Sequence, residues 1–251
     1  MISTEMHVRL RMVDPDRYRS AMLADDEPRE KLLVIYAFHS ELAKIPELVS
    51  ETMIGEIRYQ WWRDVVEEIY SGGKVRAHEV ATPLTSVLRE SDVPRFWIDR
   101  LIDARSRDLD PAPFADIAAA QDYAHNTSGV LTQIAAAIVA PDFDSEAAGR
   151  AGAAWGMTGL ARSYRWYHAG MLSWLEFSDI LAATREQYSA AKSACKGAPS
   201  SAMPAIAYVA TVPKFLKRLG KAGFDPKTEE ISYAPPLKQI RMTLAALRGR
   251  I

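Results

Sequence analysis

An all-α fold is predicted by three features of the 251-residue chain. Apolar residues recur at i, i+3, i+4 and i+7 nearly throughout. Alternating apolar–polar runs between Gly- or Asn-rich turns, the mark of strands, are missing. Several stretches are Ala-rich, as at Ala118–Ala120 and Ala135–Ala137, which lets neighbouring helices approach closely. No repeat of fixed period is present, and one domain over 1–251 is expected.

Asp14 and Asp16 are placed to cap the first helix. The next is expected from about Pro28 through Leu32, Leu33, Ile35, Tyr36 and Phe38 toward Leu42. Asp25, Asp26 and Glu27 stand where the positive end of the helix dipole favours acid, and Pro46 should end or kink it. Ile54, Ile57, Trp61, Trp62, Val65, Val66 and Ile69 form the stripe of a buried helix face, which Gly72-Gly73 stops. Further helices are expected at about Pro83–Glu90, Pro94–Asp108, Phe114–Val139, Ser145–His168, Glu176–Tyr188 and Met203–Leu219, the last with a kink at Pro213. A final one runs from Pro236 to Leu247.

Composition excludes several classes. Apolar residues make up 48% of the chain and charged ones 25%, too much core for disorder. With 31 basic against 32 acidic side chains the net charge is −1, so the basic footprint of a nucleic-acid binder is missing. The single cysteine, Cys195, excludes a disulfide scaffold and fits a reducing compartment. The longest apolar stretch, Gly129–Ala140, is broken by Thr132 and Gln133 and falls short of the roughly 20 residues a span needs. Met1–Met12 does not read as a secretory signal. Cytoplasmic residence is the expectation, with peripheral contact at the inner membrane left open.

Familiar chemistry is hard to find. His7, His39, His78, His125 and His168 show no zinc spacing. Gly149, Gly152 and Gly156 lack the strand of a dinucleotide fingerprint and read as close helix packing. Ser71-Gly72-Gly73-Lys74 is a turn. Asp142, Asp144 and Glu146 begin like a calcium loop, but Ala147 and Ala153 stand where such a loop needs Gly and Glu.

Several stretches, taken in order, carry a resemblance. They are Asp16-Arg17-Tyr18, Pro28-Arg29, Leu33 through Phe38, Ile57 through Asp64, Leu101–Leu109 and Tyr123 through Gly129. Trp155 through Arg162 and Met203 through Asp225 complete the set. Together they resemble the squalene/phytoene synthase family and extend over nearly the whole chain. The resemblance implies an isoprenoid-synthase fold. In the active members two prenyl diphosphates are joined head to head, with Mg²⁺ held by aspartates on two helices as the diphosphate leaves.

Against that family the acidic motifs depart. The first would fall at Ala43, Lys44 and Glu47, and the second in Ser163–Gly170, which carries no carboxylate. Gly-Arg and Leu-Pro elements give way to Met171–Glu176. Loss of one well-placed electrostatic stabiliser costs about 3 kcal/mol, on the order of a hundredfold in rate, and most of a metal cluster would cost far more. These departures resemble the non-catalytic branch that assists assembly of respiratory complex I. That branch shares the patterns at Ala37–Ala43 and Ile57–Arg63, and at Gly159, Leu160 and Arg162.

The resemblance thus implies no catalytic residue, no cofactor, and a complex I subunit or assembly intermediate as partner. Two alternatives stand beside it. One is a Mg²⁺-dependent prenyltransferase using displaced acids such as Glu41, Glu47 and Glu51, with Pro46 among them. The other is a binder of a prenyl lipid or quinone. Candidates for a ligand cavity or docking surface are Tyr36, Phe38, Glu41, Glu47, Arg58, Trp61, Trp62, Asp64, Tyr123, Arg162 and Arg165. Arg58, Trp61, Trp62 and Asp64 read either as a core stripe with satisfied charges or as a cavity wall. Arg162 and Arg165 would face anionic groups or pair with a helix end. Tyr164, Trp166, Tyr167 and His168 are expected to pack against Trp174. Lys214, Lys217, Arg218 and Lys221 form a basic helix face, either solvated or a surface contact.

Overall fold

Ser3 and Asp14, whose side chains accept from the backbone N–H of Met6 and Arg17, open the first two helices, α1 (Thr4–Val13) and α2 (Pro15–Ala21). Such caps contribute about 1 kcal/mol each. Asp14 therefore caps the second helix, behind a helix the periodicity did not anticipate. Asp16 does not cap at all: it is buried in an ion pair with Lys238. The computed structural model describes residues 2–109, 112–231 and 233–251, and among these no strand occurs.

The apolar run Leu32–Phe38 is buried on nearly every side within α3 (Asp26–Ala43), and Pro46 ends it by continuing the chain as a 3₁₀ turn, Ile45–Leu48. Helix α4 (Thr52–Tyr70) buries Tyr59, Trp62, Val65, Val66 and Ile69 and stops at Gly72, whose φ of 76° is left-handed. Ile54 and Ile57 of the expected stripe are exposed and Trp61 is half-buried, because the inward face runs through Gly55, Tyr59, Trp62, Val66 and Ile69, with Gly55 close against Leu109. Helices α5 (Ala81–Arg89) and α6 (Arg95–Ser106) follow, α6 ending in a 3₁₀ turn at Arg107–Leu109.

The Ala-rich stretch is helical without a gap from Ile117 to Val139 but changes register inside. It comprises α7 (Ile117–Ala124), a π-helical turn at His125–Gly129, and α8 (Val130–Val139). Phe114 lies outside it, its N–H donating to the Met171 carbonyl at 2.9 Å. Helix α9 (Ser145–Arg162), capped by Asp144, packs against α7, α8 and the π turn, and against α11 (Phe177–Ala194). Its small residues permit this. A Cβ on Gly152 would stand 2.2 Å from the Ser128 carbonyl oxygen, and one on Gly156 2.9 Å from the Ala124 Cβ. These glycines are packing surfaces, as their helical setting predicts.

Helix α9 ends at Arg162, and a separate turn, α10 (Tyr164–Tyr167), replaces the expected continuation to His168. The Met203–Leu219 segment is likewise divided into α12 (Met203–Ile206), a 3₁₀ turn at Ala207–Thr211, and α13 (Val212–Leu219). Pro213 causes no kink, because it lies in the first turn of α13, where its missing N–H would have no partner anyway. The last helix is α14 (Pro235–Arg248), ended by left-handed Gly249. One buried apolar cluster runs from Ile2 to Ile251.

Candidate functional site

The π turn between α7 and α8 faces the interior. Around it lies a cavity of about 500 Å³, bounded by the end of α3, the α6 terminus, the π turn, α9 and the chain after α10. The π turn presents Thr127 and Ser128 to it, Trp155 and Leu160 supply apolar wall, and Tyr167 and Met171 line it from the α10 side.

At one end sits a half-buried polar knot. Arg105 donates to Asp108 Oδ2 at 3.1 Å and to the Tyr123 hydroxyl at 3.0 Å, and that hydroxyl donates to Asp108 Oδ1 at 2.7 Å. The other guanidinium nitrogen lies 2.7 Å from His39 Nε2, which must therefore accept, leaving the proton of the neutral ring on Nδ1. Burial, and then the Arg105 charge, hold the His39 imidazole well below its ordinary pKa. Burial likewise raises the Tyr123 hydroxyl, so the phenol stays protonated and able to donate. Tyr59 closes the knot from below, donating to the carbonyls of Leu42 and Arg105 at 3.0 and 2.8 Å.

The fold family implies a magnesium–diphosphate centre, and the lining can be tested against it. Among the described residues two carboxylates reach the cavity, Glu47 and Asp108, and Asp108 is committed to Arg105 and Tyr123. Among the described residues no group of three His, Cys, Asp or Glu side chains is arranged to hold a cation. Magnesium needs several oxygen ligands presented together. The donor set does not fit such a centre. Glu41, Glu47 and Glu51 form no row either: Glu41 is buried and paired with Arg9 and Lys44, Glu47 is on the 3₁₀ turn, and Glu51 precedes α4.

The candidate residues divide among several places. Glu47 and Tyr123 line the central cavity. Glu41, Arg58, Trp61 and Trp62 line a second, smaller cavity of about 240 Å³ with Lys44, Ile45, Leu48 and His78. There the Trp61 and Trp62 rings meet edge-on at 4.8 Å and both face His78. Trp62 is 4% exposed and packs on Phe38, so it serves as core and cavity wall at once. Phe38 is fully buried, and Tyr36 lies in the core with its hydroxyl unpartnered. Asp64 faces solvent, bonded by Gln60 at 2.8 Å and beside Arg76.

Neither arginine after Gly159 lines the central cavity. Arg162 stacks over Phe215 at 4.3 Å from its centroid, and burial lowers its pKa. Arg165 lies over Trp166 at 4.3 Å and faces Glu230 at 3.5 Å. The expected aromatic packing on Trp174 is not formed. Tyr164 is buried against Phe177, whereas Trp166 and Trp174 are 68% and 69% exposed and Tyr167 turns toward the cavity mouth. The α10 turn causes this, by rotating these side chains away from the α9 register.

Sequence reasoning passed over Arg105, Asp108 and His39. The Arg-x-x-Asp spacing at a helix end was a usable signal, but its partners Tyr123 and His39 come from two other helices.

Comparison with known proteins agrees with this architecture. The chain is 26% identical over 245 residues to human "NADH dehydrogenase (ubiquinone) complex I, assembly factor 6", covering 86% of this chain and 73% of that protein. The mouse protein of the same name is 24% identical, covering 94% and 77%. The bovine one is 34% identical over a shorter match, 49% of this chain and 36% of that protein. Among solved structures, a dehydrosqualene synthase in complex with a ligand superposes with a TM-score of 0.72 at 11% identity, covering 96% of this chain and 94% of that one. Squalene synthase HpnC from Alicyclobacillus acidocaldarius gives 0.58 at 12% identity, covering 98% and 93%. These establish the isoprenoid-synthase type of fold. The model of the squalene/phytoene synthase family matches residues 10–175, more than half of the sequence, and the chain belongs to that family.

Proposed function

We propose that this protein acts in the assembly of respiratory complex I, without bound magnesium and without prenyl-transfer chemistry. The observation that carries the reading is the likeness to the human and mouse assembly factors over about three quarters of their length. The donor set of the central cavity supports it, because among the described residues its one uncommitted carboxylate is Glu47. In this reading the helical body holds an assembling subunit, and the Trp61–Trp62–Arg58 wall is a docking surface for it. Deleting the gene in its native organism and assaying NADH:ubiquinone oxidoreductase in membranes tests the role. Activity should fall and return on complementation; unchanged activity overturns it. Diphosphate release from farnesyl or geranylgeranyl diphosphate with Mg²⁺, above a boiled control, would overturn the non-catalytic part.

A second reading rests on the cavity itself. Its Trp155, Leu160, Tyr167 and Met171 lining suits an isoprenoid chain or quinone, with the Arg105–Tyr123 knot facing the polar end. Native mass spectrometry of protein purified from its own organism would reveal such a lipid as a retained mass.

A further inference from the structure

Helix α14 leaves an apolar stripe uncovered. Leu237, Ile240, Leu244 and Leu247 follow i, i+3, i+7, i+10 spacing, and are 48%, 55%, 41% and 79% exposed. At about 100° per residue they share one face, opposite the side where Lys238, Met242 and Ala245 are buried. Alongside runs a groove of about 480 Å³ lined by Lys192, Arg241, Arg248 and Arg250, with Tyr188, Leu244 and Ile251. Among the described residues no Asp or Glu side chain lines it, and none of the four cations forms an ion pair. Arg241 reaches only a backbone carbonyl, that of Ala210 at 3.3 Å.

We infer that α14 docks this protein on the surface of a bilayer containing anionic phospholipid. The stripe would enter the boundary between head groups and acyl chains, and the groove cations would take up lipid phosphates. Arg241 and Arg248 project at the border of the stripe, where a long side chain keeps its charge at phosphate level while its stem lies in the apolar layer. The side-chain charge flanking the stripe is of one sign among the described residues. A surface of lipid phosphates satisfies it, whereas a protein patch would need its own carboxylates opposite each arginine. Lys238 fixes the other face of the helix to Asp16, so the stripe is held outward. This inference does not rest on the assembly role.

The test is co-flotation of the purified protein with vesicles of phosphatidylglycerol and phosphatidylcholine, against phosphatidylcholine alone. The wild type should float with the anionic vesicles and release at high salt. Leu244→Gln with Leu247→Gln, and separately Arg248→Glu with Arg250→Glu, should each weaken binding about tenfold or more. All four side chains are exposed, so the circular-dichroism melt should not move. A wild type that stays in solution, or both double variants floating like wild type, overturns the proposal. Binding to native membranes but not to protein-free vesicles would overturn it in favour of a protein surface. Release by inorganic phosphate at constant ionic strength, with the leucine variants binding normally, would mark the groove as a free-phosphate site and overturn docking.

Discussion

The Lys238 ammonium donates to Asp16 Oδ2 across 2.9 Å, joining positions 222 residues apart, and both side chains are buried. The pair clamps α14 onto α2, and Lys238 also lies 5.4 Å from the Phe215 ring centroid. Removing one member leaves the other as a buried charge without its partner, which costs about 3–5 kcal/mol. Lys238→Met should therefore destabilise strongly, though Arg19 at 3.6 Å from Asp16 Oδ1 softens the loss. Urea unfolding checks this, and the pair Lys238→Met with Asp16→Asn should recover part of the difference.

Gly152 and Gly159 occupy the same helix but differ in surroundings. Alanine at 152 would drive its Cβ into the Ser128 carbonyl and the Thr132 hydroxyl, whereas at 159 nothing lies within 4 Å. Gly152→Ala should lose about 1–3 kcal/mol or more by overpacking. Gly159→Ala should gain up to about 1 kcal/mol from helix propensity. Thermal melts of the two variants should move in opposite directions.

His39 makes stability depend on pH. Its native pKa is held well below the ordinary value by burial and by Arg105, while in the unfolded chain it titrates near 6.5. Below that pH the unfolded state binds a proton that the native state refuses. Stability is therefore complete above about pH 7.5 and falls as the pH drops through 6.5, by up to about 1.4 kcal/mol per pH unit for one group. His125, lowered by burial and then by Arg100, adds to the slope. His39→Gln, whose amide oxygen can still accept from Arg105, should flatten the curve measured by urea titration between pH 7.5 and 5.5.

Cys195 should be silent to thiol reagents in the native protein. It is buried, its Sγ lies 3.4 Å from the Ala147 carbonyl, and burial followed by Asp144 pushes its pKa up to about 12. The thiolate is the reacting form, so labelling at pH 8 should proceed only at the rate of unfolding and become immediate in denaturant.

Trp166 and Trp174 should dominate the quencher-accessible fluorescence, because Trp62 and Trp155 are buried and Trp61 and Trp97 half-buried. Replacing both by Phe should remove most of the iodide-sensitive emission. A quenching curve unchanged by the double substitution would contradict the outward turn of α10.

The helical class, the α3 stripe, the later part of the α4 stripe from Trp62 to Ile69, the stop at Gly72 and the close-packing role of the α9 glycines were legible in the chain, because each depends on local periodicity or on a missing Cβ; Ile54 and Ile57, counted in the same stripe, face outward. The ordered motifs likewise carried the family. The changes of helical register were not legible: the π turn falls on His125–Gly129, residues of low helix propensity between two Ala-rich runs, but low propensity alone does not specify a π turn, and it packs against Gly149 and Gly152 of α9. The same holds for the site. Arg105 met Asp108 through local spacing, but Tyr123 and His39 reach it from α7 and α3. Arg162, expected either at an anionic ligand or paired with a helix end, lies instead over the Phe215 ring. Local pattern determines which faces are apolar and where a helix can start or stop. Which buried charges find one another, and which tryptophans remain in water, depends on contacts between segments far apart in the chain, and those are decided when the helices pack.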